Sequence, residues 1–314
     1  MSALLGLALR EPGTLLKVAR VVKAARRLVL AKLVEVMEPE VKRPWHAWAD
    51  KRAARYVYEV LAREGVARWR EDGSLEVVKR PRPPADLPVE VADAAPLLDR
   101  LLPHLPEALE GRRRYFTDRE LMLAYAKFLD NLGYNWFRKL ALSLLLPAEL
   151  RRSEQAVFAD VGAGMGLSTL ALLELTRGTV VAVDPYDENL ENVRDYAAVH
   201  RAERRVRTLR GYAEDFELEA PADAAVMINV LHWCNSPQLA LRNAARNVKR
   251  GGYVTVAQAV LAKYSYAGDI IAYLLGAPRF PPTRRELHRM IADEGLKVEK
   301  RVNLAWELVL AKVP

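Results

Sequence analysis

The 314 residues include a single cysteine, Cys234. One thiol can neither close an internal disulfide nor build a cysteine-rich metal site, which excludes disulfide-stapled scaffolds and points to a reducing, cytoplasmic setting. No uninterrupted run of 18 apolar residues occurs, and the first ten residues lack the basic start, apolar centre and small-residue cleavage site of a secretory signal. We therefore expect a soluble, unprocessed chain without a spanning helix. Glycine (16) and proline (18) are too sparse for a collagen-like or low-complexity segment. No solenoid-length repeat occurs. His46, His104, His200 and His288 show no ligand spacing with Asp, Glu or Cys, so no metal is expected.

What the chain does have is apolar mass and basic charge. At 51% hydrophobic residues it can bury one large core or two modest ones. The net charge of +8 is uneven: residues 1–150 hold 26 Lys and Arg against 20 Asp and Glu, the remainder 22 against 20. Such an excess favours an anionic partner, nucleic acid or a membrane surface, without bearing on the fold. Few glutamines with many Arg, Lys and Glu also suit a thermophile, whose surface charges form ion-pair networks.

Residues 14–37 place Leu15, Val18, Val22, Ala25, Val29, Leu33 and Val36 three and four apart, with Lys17, Arg20, Lys23, Arg26 and Arg27 mostly off that stripe. The spacing predicts an amphipathic basic helix that packs on its own domain or a second subunit, with peripheral membrane contact as the other use. A helix over 53–63 and short strands over 66–70 and 75–78, joined through Asp72-Gly73, predict the end of a winged-helix unit. The proline-rich basic stretch 79–88 reads as a stiff linker. Residues 95–148 read as helical and carry Tyr115, Phe116, Tyr125, Phe128, Tyr134, Trp136 and Phe137, core residues or the wall of a pocket. Beyond 150, strands over 156–160, 180–184, 206–209, 224–229 and 253–258 alternate with helices over 167–176, 187–200, 237–248 and 283–294. That alternation predicts a doubly wound α/β sheet, closed by an antiparallel strand pair over 300–303 and 306–311. The expected domains are 1–88, a mainly helical winged-helix module; 89–150, a helical connector; and 151–314, the sheet domain.

Chemistry concentrates where the first of these strands runs into Asp160-Val161-Gly162-Ala163-Gly164-Met165-Gly166. Three alternating glycines allow a tight turn and close approach of a ligand to backbone. Asp184 ends the next strand, where a carboxylate can accept the hydroxyls of a ribose; together these residues place an adenosine moiety at the carboxyl ends of the strands. Asp160 at the head of the loop would repel a pyrophosphate. It suits a cationic ligand, such as a sulfonium carrying an α-amino group.

This pattern resembles the class I S-adenosylmethionine-dependent methyltransferases in residues 160–166, in Val183-Asp184-Pro185-Tyr186 and in Gly211-Tyr212-Ala213-Glu214-Asp215-Phe216. Within that class the chain is similar to the winged-helix small-molecule O-methyltransferases of the caffeate and hydroxyindole type, through Leu231-His232-Trp233, Gly251-Gly252-Tyr253-Val254, Asp269-Ile270-Ile271 and 282–287. The resemblance implies a Rossmann-like class I methyltransferase sheet, with S-adenosyl-L-methionine as cofactor and S-adenosyl-L-homocysteine as product. It implies Asp160, Gly162, Ala163, Gly164, Gly166, Asp184, Pro185, Tyr212, Ala213, Glu214, Asp215 and Asn229 around the cofactor. It also implies a homodimer built through the N-terminal module, with preceding helices walling the acceptor pocket.

His232 aligns with the histidine that acts in that family as general base toward the acceptor hydroxyl. An imidazole titrating near 6.5 can take a phenolic proton as the methyl moves. Gln258 stands where the family usually carries a glutamate beside the base, and Tyr212 where an acidic residue often meets the adenine edge, leaving that contact to Glu214 or Asp215. For the acceptor, a small aromatic or apolar molecule, Tyr125, Phe128, Trp136, Trp233 and Gln258 are the candidate wall. Two other readings stay open. One is an RNA or protein methyltransferase using the basic N-terminal half, against which the segment after the fourth strand lacks the Asn/Asp-Pro-Pro-aromatic sequence of enzymes acting on exocyclic amines. The other is a non-catalytic winged-helix regulator that senses the cofactor. The basic run Arg201, Arg204, Arg205, Arg207 and Arg210 reads as a solvated face.

Overall fold

The structure of the chain, a computed structural model, describes residues 12–93, 95–112, 125, 129, 132–261, 266–303 and 306–314. It divides into two compact units: residues 1–133 with 262–280, and residues 134–261 with 281–314.

The first unit opens on α1 (Pro12–Met37). Its buried face runs through Val21, Ala24, Leu28 and Ala31, while Val22 is 45% exposed. The stripe expected through Val22 is thus displaced by one position. The reason is that the C-terminal half buries residues on more than one side, Val29, Leu30, Leu33, Val34 and Met37 included, so a single narrow stripe does not describe it. Helix α2 (Lys51–Arg63) starts where Asp50 caps it, its side chain accepting from the Ala53 N–H. Strands β1 (Ala67–Trp69) and β2 (Leu75–Val77) follow, pairing antiparallel. Gly73 supplies the positive φ of +80° in their turn, and Asp72 Oδ1 accepts from the Ser74 N–H. The helix and hairpin predicted for a winged-helix unit are therefore present. Short helices α3 (Val89–Ala92), α4 (Ala95–Leu101) and α5 (Leu105–Leu109) come next.

The linear division at residue 150 assigned Asp269-Ile270-Ile271 to the sheet domain, but residues 262–280 cluster with the first unit. There, the helix at Tyr266–Leu274 buries all its apolar side chains except the half-buried Ala267, and tyrosine hydroxyls anchor it. Tyr266 donates to the Arg26 carbonyl at 3.0 Å, Tyr56 donates to Asp269 Oδ2 at 2.6 Å, and Tyr273 donates to Asp50 Oδ2 at 2.9 Å. The partners lie more than 200 positions away in sequence, which is why no local pattern exposes them.

The second unit is a seven-stranded sheet flanked by helices. Helix α6 (Leu132–Leu145) leads through α7 (Ala148–Arg152) to β3 (Val157–Val161), α8 (Leu167–Leu175), β4 (Thr179–Asp184), α9 (Asp187–Val199) and β5 (Val206–Arg210). Then come β6 (Ala222–Ile228), α10 (Pro237–Arg246), β7 (Val248–Ala259), α12 (Arg284–Asp293), β8 (Lys297–Asn303) and β9 (Trp306–Lys312), the helix at 266–274 being α11. Strand order is β5-β4-β3-β6-β7-β9-β8. The first five pair parallel; β9 pairs antiparallel with both β7 and β8. Strands β3, β4 and β6 are near-continuous apolar runs because helices cover both faces, as parallel sheets require. Phe158, Leu172, Val180, Ala224 and Val226 centre one core cluster, and Ala141, Leu145, Trp306, Leu308 and Leu310 another. Chain order reverses between β3 and β6, so the carboxyl ends of these strands flank the crevice where open α/β sheets take ligands.

Among the described residues no helix is long and apolar enough to cross a membrane.

Candidate active site

At the end of β3 the chain turns through Gly162, Gly164 and Gly166, with φ values of +72°, +53° and +86°. At Gly162 a Cβ would lie 2.0 Å from Val230 Cγ2, so this glycine lets the loops after β3 and β6 touch; at Gly164 a Cβ would meet nothing within 4 Å. The Gly162 and Ala163 N–H groups both donate to the Val183 carbonyl, pinning the loop to β4. Asp160 is wholly buried. Its Oδ2 accepts from Ser168 Oγ at 2.8 Å and Thr169 Oγ1 at 2.6 Å, while Oδ1 is buried without a partner among the described residues. Burial pushes its pKa up to about 6, opposed by the two hydroxyls and by Arg138, and aided by the charge of Asp184. A buried carboxylate with one oxygen unpaired is an expensive arrangement in isolation. It becomes favourable beside a cation, so the donor set fits the α-amino group of an S-adenosylmethionine.

Asp184, at the end of β4, accepts from the Gly164 N–H at 2.9 Å, the Tyr186 N–H at 3.1 Å and Asn189 Nδ2 at 2.8 Å. Burial raises its pKa, and those donors oppose the rise. Three of its roughly four acceptor sites are thus engaged in shaping the loops, which leaves one for a ligand hydroxyl. Pro185 follows, half-buried, and the Gly211 N–H donates to the Asp184 carbonyl, drawing in the loop after β5. In that loop Tyr212 is 55% exposed, Ala213 is buried and Asp215 is exposed. Glu214 accepts from the Ser236 N–H at 3.2 Å, at the start of α10.

After β6 the backbone passes Asn229 at φ +54°, a left-handed conformation that Asn tolerates better than most residues. Its Oδ1 accepts from the Ala259 N–H at 2.6 Å. His232 is 5% exposed, and Gln258, on β7, is fully buried with Nε2 3.2 Å from His232 Nδ1. Burial pulls the imidazole pKa down to about 3, so the ring is neutral at pH 7. The Trp233 ring is centred 5.5 Å from it, on a side chain 36% exposed.

The structure thus brings the predicted residues of β3, β4, β5, β6 and β7 to one edge of the sheet. The acceptor-wall residues fare differently. Trp136 is half-buried in the second unit and its neighbour Phe137 packs on Trp306 at 4.6 Å. Tyr125 belongs to the first unit, and Phe128 lies outside the described residues. Of the basic run, Arg201, Arg204, Arg207 and Arg210 are exposed, but Arg205 is not a solvated residue. Its guanidinium donates to the carbonyls of Gly178, Leu173 and Thr176, satisfying the C-terminal end of α8. Sequence reasoning missed Ser168, Thr169, Asn189 and Arg138. The first two lie just past the glycine loop; Arg138 is buried on α6 while its neighbour Lys139 is exposed, a difference that two adjacent cations do not reveal in sequence. Among the described residues no group of His, Cys, Asp and Glu gathers as a metal-ligand set.

Residues 159–256 match the family model described as a methyltransferase domain. With the strand order and the glycine loop, the match makes the second unit a class I, S-adenosylmethionine-dependent methyltransferase domain. Solved structures extend the likeness over the whole chain. An O-methyltransferase family 2 protein from Planctomyces limnophilus, solved with apigenin, is 18% identical with a TM-score of 0.63, covering 96% of each chain. The mitomycin 7-O-methyltransferase MmcR is 17% identical, with a TM-score of 0.59 over 100% of each. The citrinin polyketide synthase CMeT domain is 12% identical, with a TM-score of 0.65 over 99% of this chain and 96% of that one. At these identities the likeness is one of fold. No curated protein sequence matches the chain.

Proposed function

We propose that the protein transfers a methyl group from S-adenosylmethionine to the oxygen of a small aromatic or apolar acceptor. The observation that carries this reading is Asp160: a fully buried carboxylate at the head of the glycine loop, with one oxygen unpaired and Arg138 close enough to lower its pKa. An anion and a cation buried together match the two ends of an α-amino acid, with Asp160 toward the amino group and Arg138 toward the carboxylate. The Gly162–Gly166 loop admits the ligand to the backbone, Asp184 takes a ribose hydroxyl, and Tyr212, Ala213, Glu214 and Asp215 border the adenine. The bound cofactor supplies a methyl group already activated on a sulfonium. The protein's own work is to align the acceptor with it and exclude water, the contribution worth most in such a reaction. His232, Trp233 and Gln258 are the groups on the acceptor side, and Asn229 stays with the cofactor. O-methyltransferases among the structural neighbours support oxygen as the nucleophile. A homodimer formed through the first unit belongs to the same reading, and light scattering checks it.

Calorimetric titration with S-adenosylmethionine, S-adenosylhomocysteine and NAD tests the cofactor, with Asp160→Asn as control. Micromolar binding of both adenosyl ligands, absent for NAD and weakened at least tenfold in the variant, is expected. Methyl transfer to a panel of phenols and enols then follows by mass spectrometry. Binding of NAD alone, or methylation of RNA with none of any small acceptor, overturns the reading.

A further inference from the structure

Resting on the methyl-transfer reading, we infer that His232 is held by Gln258 as a hydrogen-bond donor through Nε2, and that the enzyme takes an acceptor whose nucleophilic atom is already anionic. The argument starts from an amide whose orientation is dictated by its neighbours. The Leu231 N–H points at Gln258 Oε1 at 3.1 Å. On the other side, Gln258 Nε2 lies 3.0 Å from the Ala259 carbonyl and 3.5 Å from Asn229 Oδ1. That Asn229 oxygen is itself identified by the Ala259 N–H it accepts at 2.6 Å. Reversing the Gln258 amide would set N–H against N–H at Leu231 and oxygen against oxygen at Ala259 and Asn229. Only one orientation avoids these conflicts, and its two N–H groups go to the two nearer acceptors, the Ala259 carbonyl at 3.0 Å and His232 Nδ1 at 3.2 Å, rather than to Asn229 Oδ1 at 3.5 Å.

A ring nitrogen that accepts cannot carry the proton, so in the neutral imidazole the proton sits on Nε2. A general base needs the reverse arrangement, with Nδ1–H oriented by an acceptor and a free lone pair at Nε2. The glutamate expected at position 258 would provide that acceptor; the amide provides a donor. Forming an imidazolium would turn a second N–H toward the amide donor, and burial opposes that charge as well. No described carboxylate compensates. Glu307, the register partner of Gln258 on β9, is engaged instead by Arg284 Nε at 2.8 Å and His288 Nε2 at 2.7 Å. Among the described residues Nε2 has no partner, and it is the ring's one polar atom left for a ligand.

An N–H at that place stabilises an oxyanion and removes no proton. The acceptor therefore gives up its proton to water before transfer, as an acidic phenol or enol does. Its oxygen lone pair then forms the bond to the methyl carbon while the electron pair of the broken carbon–sulfur bond stays on sulfur, leaving a neutral thioether and a neutral ether with no proton to place. Gln258 is a positioning residue in this scheme, acting only through the tautomer of His232.

Nitrogen-15 spectra of the histidine-labelled protein, with the His232 signals assigned by comparison with His232→Gln, read the tautomer without turnover. The expected result is a protonated Nε2 and an unprotonated Nδ1 throughout pH 5 to 8, and mixing of the two tautomers in Gln258→Leu. An Nδ1–H tautomer or an imidazolium in the wild-type protein overturns the inference. In the kinetic arm, with S-adenosylmethionine and ring-substituted phenols at one pH, electron-poor phenols are methylated faster, in step with their ionised fraction. His232→Gln, which keeps an N–H donor, stays within about tenfold of wild type, and His232→Phe falls well below it. Loss of about 10²-fold or more in His232→Gln, the scale of a lost general base, overturns the donor role. Absence of methylated product beside an Nε2–H spectrum overturns the methyl-transfer reading and leaves the donor assignment standing on the spectrum.

Discussion

Replacing Asp160 with Asn should change the pH dependence of stability in one direction only. In the folded protein, burial raises the Asp160 pKa from 3.8 to about 6. A shift of about two units corresponds to roughly 3 kcal/mol. The sign follows from proton counting: between pH 4 and 6 the folded state holds the proton that the unfolded chain has released, so wild-type stability falls as pH rises through that window. Below it both states are protonated and nothing is lost. Asp160→Asn cannot ionise, so its stability relative to wild type should rise by about 3 kcal/mol between pH 4 and 7, roughly 6–12 °C in Tm for a unit of this size. The absolute offset between the two proteins is a poor guide, because the Asn amide puts a donor where Oδ1 had no partner. The change of that offset with pH is the informative quantity, and it largely cancels the other carboxylates, including Asp184, whose pKa burial also raises. Urea unfolding of both proteins at intervals from pH 4 to 8, without ligand, measures it. Saturating S-adenosylmethionine should then stabilise wild type at pH 7 by at least about 1.4 kcal/mol more than the variant, the equivalent of a tenfold difference in affinity. Parallel curves for the two proteins, or a wild type that gains on the variant as pH rises, would refute the placement of a strained carboxylate at the cofactor site.

The glycines of the loop should separate packing from ligand approach. Gly162→Ala adds a left-handed alanine and a Cβ 2.0 Å from Val230 Cγ2, at a cost of about 2–5 kcal/mol in thermal or urea unfolding; adding Val230→Ala should recover at least 1 kcal/mol of it. Gly164→Ala meets no neighbour, so it should lose only about 1–2 kcal/mol of stability and at least tenfold in calorimetric affinity for S-adenosylmethionine. Arg205→Met, which strips the donors from three carbonyls in and just beyond the last turn of α8, should destabilise by about 1–3 kcal/mol without altering that affinity.

The sheet was legible because its signals are local. Strands β3, β4 and β6 are short apolar runs, α8 starts after Gly166 and α10 at the Ser236 cap, and the glycine loop must follow a strand to work, so residues 157–259 could be read in order. Where a property depended on distant partners, the reading failed in a characteristic way. The α1 stripe shifted by one residue because burial there is set by several neighbours. The Tyr266–Leu274 helix was placed with the sheet because it sits between two of its elements in sequence, whereas hydrogen bonds from Tyr56 and to Arg26 and Asp50 tie it elsewhere.

The chemistry of His232 shows the same boundary at the scale of one proton. Histidine after β6 and a side chain from β7 beside it are visible as residue types, and residue types alone admit either a base or a donor. The choice lies in hydrogen-bond polarity, which passes from the Leu231 N–H and the Ala259 carbonyl through the Gln258 amide to Nδ1. Two of those groups belong to the backbone, identical in every sequence, and they acquire a direction only when β6 and β7 pair in register, Ile228 opposite Ala257. A one-atom change from carboxylate to amide at position 258 reverses which ring nitrogen carries the proton. Acceptor choice in this enzyme then turns on the acidity of the molecule it receives as much as on the shape of the cavity that receives it.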